Sequence, residues 1–476
     1  MNPAGFQTNR FRWQITDSGA TLANVWSPNQ GAGLSASTTW DSTRTPLFRT
    51  CLVRSWFDEI QNGAFDTAPE ANATLTAYVT VVKMRLKSVT FSGEKIHTVQ
   101  KDDGTGAFPS PHWLDTNMNG TIETGENKSP VSYTCTIGHW YGDDESYMST
   151  GVEIVTAGLP PSLPNIYIRA TDANGKNYEF VGGGTVTSGS PDILAYTAGA
   201  AQCSTEILKD TVDYMNPLTL NWEVTWGGSP VWHPVGQSQN TAYITWRDPT
   251  PATLYETVLL VGCRGANGTT SSDEDDIIAG VWSEFTSVSD GVERADGVHM
   301  GYWLTQNAEQ NLSGMLQNSI GDGACTAWAQ LLHWSLEAQG LGTHSSIFQI
   351  DPIWGPAGYV YGYDDYFFMV KEWTFSGNGV NLASDPDWPY QVGTDATPAT
   401  RIGAQNNSTS SDNFYNHWVC IVKDRVYDPS YGVGNKTKAE HENGATDGYV
   451  NDINGHARKN NTSALEFRFE RDATRE

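Results

Sequence analysis

One stretch constrains this chain more than any other: residues 321 to 340, GDGACTAWAQLLHWSLEAQG. Trp328, Leu331, Leu332 and Leu336 recur at helical spacing, so the stretch reads as a helix with one apolar face. Asp322 or Gly323 can cap its start, and Gly340 stands where a helix stops. Cys325 falls in the first turn, after small residues that let another segment approach closely. A thiol there faces unpaired N–H groups and the positive end of the helix dipole, and both favour the thiolate that attacks carbonyls. A buried structural cysteine is the competing reading of this stretch alone.

Residues 416 to 432, NHWVCIVKDRVYDPSYG, read as a β-hairpin. The first half is β-branched and aromatic, Lys423-Asp424 make the turn, and Pro429 ends the second strand. Side chains alternate, so His417, Val419 and Ile421 share a face. A two-residue loop pairs Val422 with Arg425 and sets Asp428 opposite Val419, diagonal to His417 on that face. A four-residue loop keeps this parity and a three-residue loop breaks it. Cys325, His417 and Asp428 then supply a nucleophile, a base and an orienting carboxylate.

With its small-residue turn, Cys325 before Ala327-Trp328-Ala329, His417-Trp418-Val419, and Tyr427 to Gly432, the chain resembles the transglutaminase-like superfamily of cysteine enzymes. The resemblance covers residues 269–476. It implies a helix-borne Cys followed by His and Asp on adjacent strands of an antiparallel sheet. It also implies thioester chemistry on a peptide or carboxamide carbonyl. Hydrolysis by a peptidase or amidase is favoured, since nothing marks an amine-binding tunnel. Protein crosslinking, and a non-catalytic surface or assembly protein that keeps the fold for binding, stay open as alternatives. A papain-like protease shares the Cys-His order but would carry Asn as third member, which Asp428 disfavours.

At 476 residues the chain holds two to four domains. Charged residues are only 17%, and Gly, Thr, Ser and Asn are abundant, which suits a β-rich, turn-rich protein. The expected architecture is multidomain. A β-rich module spans 1–82, one or two β-sandwich-like domains span 83–268, and an α+β, cysteine-proteinase-type domain spans 269–476. Strands are expected at Phe11 to Ile15, Thr74 to Val82, Lys83 to Phe91, Val131 to Thr136, Leu220 to Trp226, Ala242 to Arg247 and Thr257 to Cys263. A hairpin is expected around Asp172 to Gly175, and the acidic run Asp273 to Asp276 reads as a solvated linker. The Gly/Asn/Asp/Pro-rich stretch from 376 to 413 reads as a substrate-facing segment.

A formal charge of −26 argues against nucleic acid and anionic membranes as partners, while the resemblance implies a protein or peptide substrate. No apolar run reaches membrane-spanning length, so no membrane insertion is expected. Composition favours an extracellular or cell-surface setting, yet the start, Met1 to Gln7, lacks a signal-peptide pattern, and the compartment stays open. Six cysteines are too few for a disulfide scaffold of this size. Cys420 reads as core, and a pairing of Cys203 with Cys263 is one guess among several.

Catalysis implies no cofactor, but residues 115–126 match a twelve-position calcium loop. Asp115, Asn117 and Asn119, the Thr121 carbonyl and Glu126 would ligate a structural calcium. Flanking prolines argue against an EF-hand, and a polar Asn-Gly turn is the alternative. An acyl-transfer site also needs oxyanion donors. The Cys325 N–H is the natural first donor, and Gln405 or Gln317 are candidates for the second. His333 is expected at a polar helix edge.

Overall fold

In the computed structural model, side chains are described over residues 86–91, 96–117, 122–135, 167–173, 211–225, 231–351 (apart from 252 and 271), 404–408, 416–442 and 468–476, with further strands traced as backbone. The chain is β-rich, with five α-helices among the described residues. Strands at Phe11–Asp17, Phe48–Phe57 and Leu75–Val82 build an N-terminal antiparallel sheet with Gln30–Ala32.

Two sheets follow. One orders Val131–Thr134, His233–Thr245, Asp213–Trp226, Ile166–Asp172 and Asn177–Glu179. The other has Ser149–Thr156, Met84–Ser92 and His112–Leu114 at its centre. The turn after Asp172 is the expected hairpin, with Ala170 opposite Tyr178. Leu86, Val89 and Trp113 of one sheet and Trp222, Val224 and Ile244 of the other belong to one buried core, so the two form a single sandwich.

The helices come next: α1 (Glu256–Gly265), α2 (Glu274–Ser283), α3 (Leu312–Gln317), α4 (Cys325–Ala338) and α5 (Lys438–Ala445). Residues 257–263, expected as a strand, are helical. Thr257 to Cys263 are all buried, because α1 lies between the sandwich strands and α4. A helix covered on both sides is apolar all round, which hides its period. The acidic run is likewise more than a linker. Asp273 caps α2 by accepting from the Asp275 N–H at 3.0 Å. Glu274 meets Arg247 at 3.0 Å and Lys423 at 3.0 Å.

The seam between sandwich and helices is polar and tightly paired. Asp102 accepts from the Thr257 N–H at 3.2 Å and the Thr257 hydroxyl at 2.7 Å. Beside it, Glu256 accepts from the Tyr243 hydroxyl at 3.2 Å. Burial, and the nearby Asp102 and Asp296 charges, push the Glu256 carboxyl up to about 7. Its folded value thus exceeds its unfolded one of 4.5, so folding takes up a proton. The penalty is absent below pH 4.5 and complete above about 7. Glu256→Gln should therefore stabilise at pH 8 by about 1–2 kcal/mol, allowing for solvent screening, with no gain at pH 4.5. Thermal denaturation at the two pH values checks this, and an equal gain at both would refute it.

Helix α4 is the buried axis of the C-terminal half. Burial of Trp328, Leu331, Leu332 and Leu336 contributes on the order of 2 kcal/mol each. The helix stops at Gly340, whose φ of +73° suits glycine. There the Leu341 N–H reaches back to Leu336 O at 2.9 Å. Gln339 then locks α4 to its neighbours, accepting from the Trp246 N–H at 2.8 Å and donating to Cys263 Sγ at 3.4 Å. Cys263 is a free thiol, so its pairing with Cys203 is set aside. His333 is not at a polar edge. It is buried, bonds Ser345 Oγ at 2.8 Å, and burial pulls its pKa down to about 4.

Against α4 lies an antiparallel sheet ordered Val433–Lys436, Arg425–Asp428, His417–Val422, Ser345–Pro352 and Phe467–Arg471. The second strand of the expected hairpin ends at Asp428, just before Pro429. Tyr366–Val370 and Thr446–Asn451 belong to a further four-stranded sheet.

Candidate active site

The hairpin sets the register of the site. Lys423 and Asp424 have φ of 47° and 64°, so both central turn residues are left-handed, as a two-residue loop between twisted strands requires. Val422 pairs with Arg425 and Cys420 with Tyr427. That parity puts His417 and Asp428 on one face. Their side chains meet with His417 Nε2 2.9 Å from Asp428 Oδ2. The other carboxylate oxygen, Oδ1, accepts from the Ser430 N–H at 3.2 Å, within the turn that follows the strand. Nε2 is committed to Asp428, and Cys325 is close enough to the imidazole to contribute to its electrostatics.

All three side chains are buried: Cys325 is 5%, His417 1% and Asp428 3% exposed. Burial alone would lower the His417 pKa. The Asp428 carboxylate, with a smaller contribution from Cys325, overrides it and holds the imidazole up at about 10. Two aromatic rings close around it. Tyr302 meets the imidazole edge-on at 6.4 Å, and Tyr431 lies 5.6 Å away.

The helix start differs from expectation. Ala324, not Asp322 or Gly323, is the N-cap, and no side chain caps the helix. Asp322 turns away to bind the Leu304 N–H at 2.8 Å and the Thr305 N–H at 2.9 Å. The first-turn N–H groups of α4 are thus left uncovered by any capping side chain, an arrangement able to receive a negative oxygen. Gly323 pairs with Tyr302, and a Cβ there would run into Met315.

Neither glutamine sits as an uncommitted donor. Gln405 Nε2 donates to Phe285 O at 2.7 Å and to Pro429 O at 2.8 Å. Gln317 is exposed at the end of α3 and donates to Ser313 Oγ at 2.7 Å. Trp303 is a further candidate donor that sequence reasoning passed over. Trp303 follows Tyr302, and its N–H donates to the carbonyl of Gly323, two residues before Cys325, at 3.2 Å. Its φ is 50°, a strained value for a bulky residue. Asn407 Nδ2 holds it there through Trp303 O at 2.9 Å. Its Nε1–H is buried with no partner among the described residues.

His441, on α5, is a second buried histidine near the site. Its ring lies 6.5 Å from Phe469, and burial pulls its pKa down to about 4. Phe469 pairs with Ile350 and Ile350 with His417, so Phe469 shares the sheet face of the His417 imidazole.

The expected calcium loop is the connection of a β-hairpin, with Trp113 opposite Lys128. Asp115 is buried, Asn117 Nδ2 donates to Glu123 at 2.6 Å, and Glu126 Oε2 accepts from Trp113 Nε1 at 2.8 Å. Asn119 and Thr121 lie outside the described residues. The described donors are thus partly committed to one another and to Trp113. The segment 376–413 also lies largely outside them, and its described part, Ala404 to Asn407, is a tight turn closed by paired N–H···O bonds of 3.0 Å. Compared with known proteins, the chain matches no family model, and no curated protein matches it, so any functional reading must come from the site itself.

Proposed function

We propose that this chain is a cysteine-dependent acyl-transfer enzyme of transglutaminase-like type, acting on peptide or carboxamide bonds and resolving its thioester with water. The observation that carries the reading is the buried 2.9 Å His417–Asp428 pair with a helix-start cysteine against its imidazole. The Cys325 thiolate attacks the carbonyl carbon and forms the C–S bond. The oxyanion so formed takes N–H donors from Cys325 and Trp303. The His417 imidazolium then gives its Nδ1 proton to the leaving nitrogen as the C–N bond breaks. Water attacks the thioester, His417 accepts its proton, and the thiolate leaves as the acid is released. Asp428 holds the imidazole in place throughout and stabilises its charged form. The near-complete burial of Cys325 favours the rival reading of a binding protein that keeps the fold.

One experiment separates the readings. Cys325 alkylation by iodoacetamide is followed against pH, and a library of peptide amides is screened for cleavage and for amine incorporation. The expected result is alkylation that stays fast well below the usual thiol pKa of about 8.5, with carboxylic acid products. Amine incorporation without cleavage would make the protein a crosslinker. A thiol with ordinary or absent reactivity, together with no product, would leave the binding reading.

A further inference from the structure

Gln405 is wholly buried, and both of its amide N–H groups face carbonyls, Phe285 O at 2.7 Å and Pro429 O at 2.8 Å. Only the NH2 end of an amide can serve two carbonyls, so the side chain has one orientation here. The Gln405 backbone adds two more bonds. Its N–H donates to Ser430 O at 3.0 Å, and its carbonyl accepts from the Tyr302 N–H at 2.8 Å. A single residue therefore ties together the segment after α2, the turn after Asp428 and the strand that carries Tyr302.

Both connections lead to the imidazole. On one side, Pro429 and Ser430 follow Asp428 directly, and the Ser430 N–H donates to Asp428 Oδ1 at 3.2 Å. On the other, the Tyr302 ring abuts His417, and Trp303 comes next in the chain. Asn407, two residues after Gln405, completes the second arm by donating to Tyr302 O at 2.8 Å and Trp303 O at 2.9 Å. Asp428 stands at the end of its strand, so the direction of its carboxylate depends on what holds the turn after it.

We propose that Gln405 is a positioning residue of this site, whose amide fixes the Asp428 turn and the Tyr302–Trp303 segment on the two sides of His417. The proposal rests on the acyl-transfer reading. Gln405 acts through Asp428 and the Tyr302–Trp303 segment, and it leaves the oxyanion to other donors. The chemistry of the position explains why glutamine is needed. A methionine of similar length would leave two buried carbonyls without donors. A glutamate would point carboxylate oxygens at them.

The test compares wild type with Gln405→Met and Gln405→Glu. In wild type, proton NMR should show a far-downfield His417 Nε2–H resonance, and the Gln405 side-chain amide protons should exchange slowly. In both variants the resonance should be lost. Cys325 alkylation at pH 6 should slow about tenfold, as for a one-unit change in the apparent pKa of the Cys–His pair, with the rates converging at high pH. Variants that lose only thermal stability and keep both the resonance and the pH profile overturn the proposal. If neither variant folds, the wild-type exchange decides, and fast exchange of the Gln405 amide overturns it. A wild-type Cys325 that reacts like a free thiol brings down the acyl-transfer reading, and the positioning role falls with it.

Discussion

Asp428→Asn is expected to lower turnover by about 10⁴-fold while leaving the fold in place. The asparagine fills the same space and can still meet the Ser430 N–H. What it removes is the negative charge 2.9 Å from His417 Nε2. Burial pulls the imidazole down, and only the carboxylate, with Cys325, holds it up at about 10. Without the carboxylate, burial wins and the imidazole is neutral at pH 7. The amide can also hold the ring in the wrong tautomer, with Nδ1 protonated by default and unable to accept from the thiol. Alkylation of Cys325 at pH 6 should slow in parallel with turnover.

The same substitution carries a stability signature whose sign is fixed. The folded pKa of His417 exceeds its unfolded value of 6.5, so folding takes up a proton. The stability contributed by the pair is full below pH 6.5 and is lost as pH rises through about 10. A buried hydrogen bond to a charged group is worth about 1.5–3 kcal/mol. The gap in unfolding free energy between wild type and Asp428→Asn should therefore be widest near pH 6 and shrink toward pH 10. A gap independent of pH would mean that His417 is neutral in the folded protein, and the ion-pair mechanism would have to go.

The parts of this site that were legible in the sequence are the local ones. Alternation places His417 and Asp428 on one face once the loop between their strands has two residues, and Lys423-Asp424 can adopt the left-handed turn this needs. The α4 helix shows in the 3.6-residue spacing of Trp328, Leu331, Leu332 and Leu336, even though twelve of its fourteen residues are buried. The misses come from tertiary context. Thr257 to Cys263 is a continuous apolar run, and periodicity alone cannot separate a short buried helix from a buried strand. Gln405 reads as a candidate oxyanion donor and not as a structural tie, since the carbonyls it serves are 120 and 24 positions away.

Helix α5 was legible and passed unread. Thr437 and Glu440 form a capping box, with the Glu440 N–H reaching Thr437 Oγ1 at 3.1 Å and the Thr437 N–H reaching Glu440 Oε2 at 2.8 Å. The Thr-x-x-Glu spacing was visible, but the segment lacks the apolar run that normally draws attention to such a box. Asp322 shows the converse. It had the right chemistry and position for a cap, yet the Leu304 and Thr305 N–H groups claim it. A capping rule weighs only neighbours in sequence, and here a segment 17 and 18 residues away competes for the same carboxylate.

Trp303→Phe should reduce turnover by about 10²–10³-fold with little change in KM, the usual cost of losing one oxyanion donor. The argument starts from two costs that the fold tolerates at one residue. A bulky side chain at a φ of 50° is strained by roughly 1–3 kcal/mol, and the Nε1–H is buried with no partner among the described residues. Asn407 and the pairing with Gly323 hold the backbone in that state two residues before the nucleophile. On the acyl-transfer reading, a negative oxygen formed at Cys325 is the acceptor proposed for this indole N–H. Phenylalanine keeps an aromatic ring and suffers the same backbone strain, so the comparison isolates the N–H. If instead KM rises and turnover is unchanged, Trp303 binds substrate uniformly and the second donor lies elsewhere. If neither moves, the strained residue serves the fold alone.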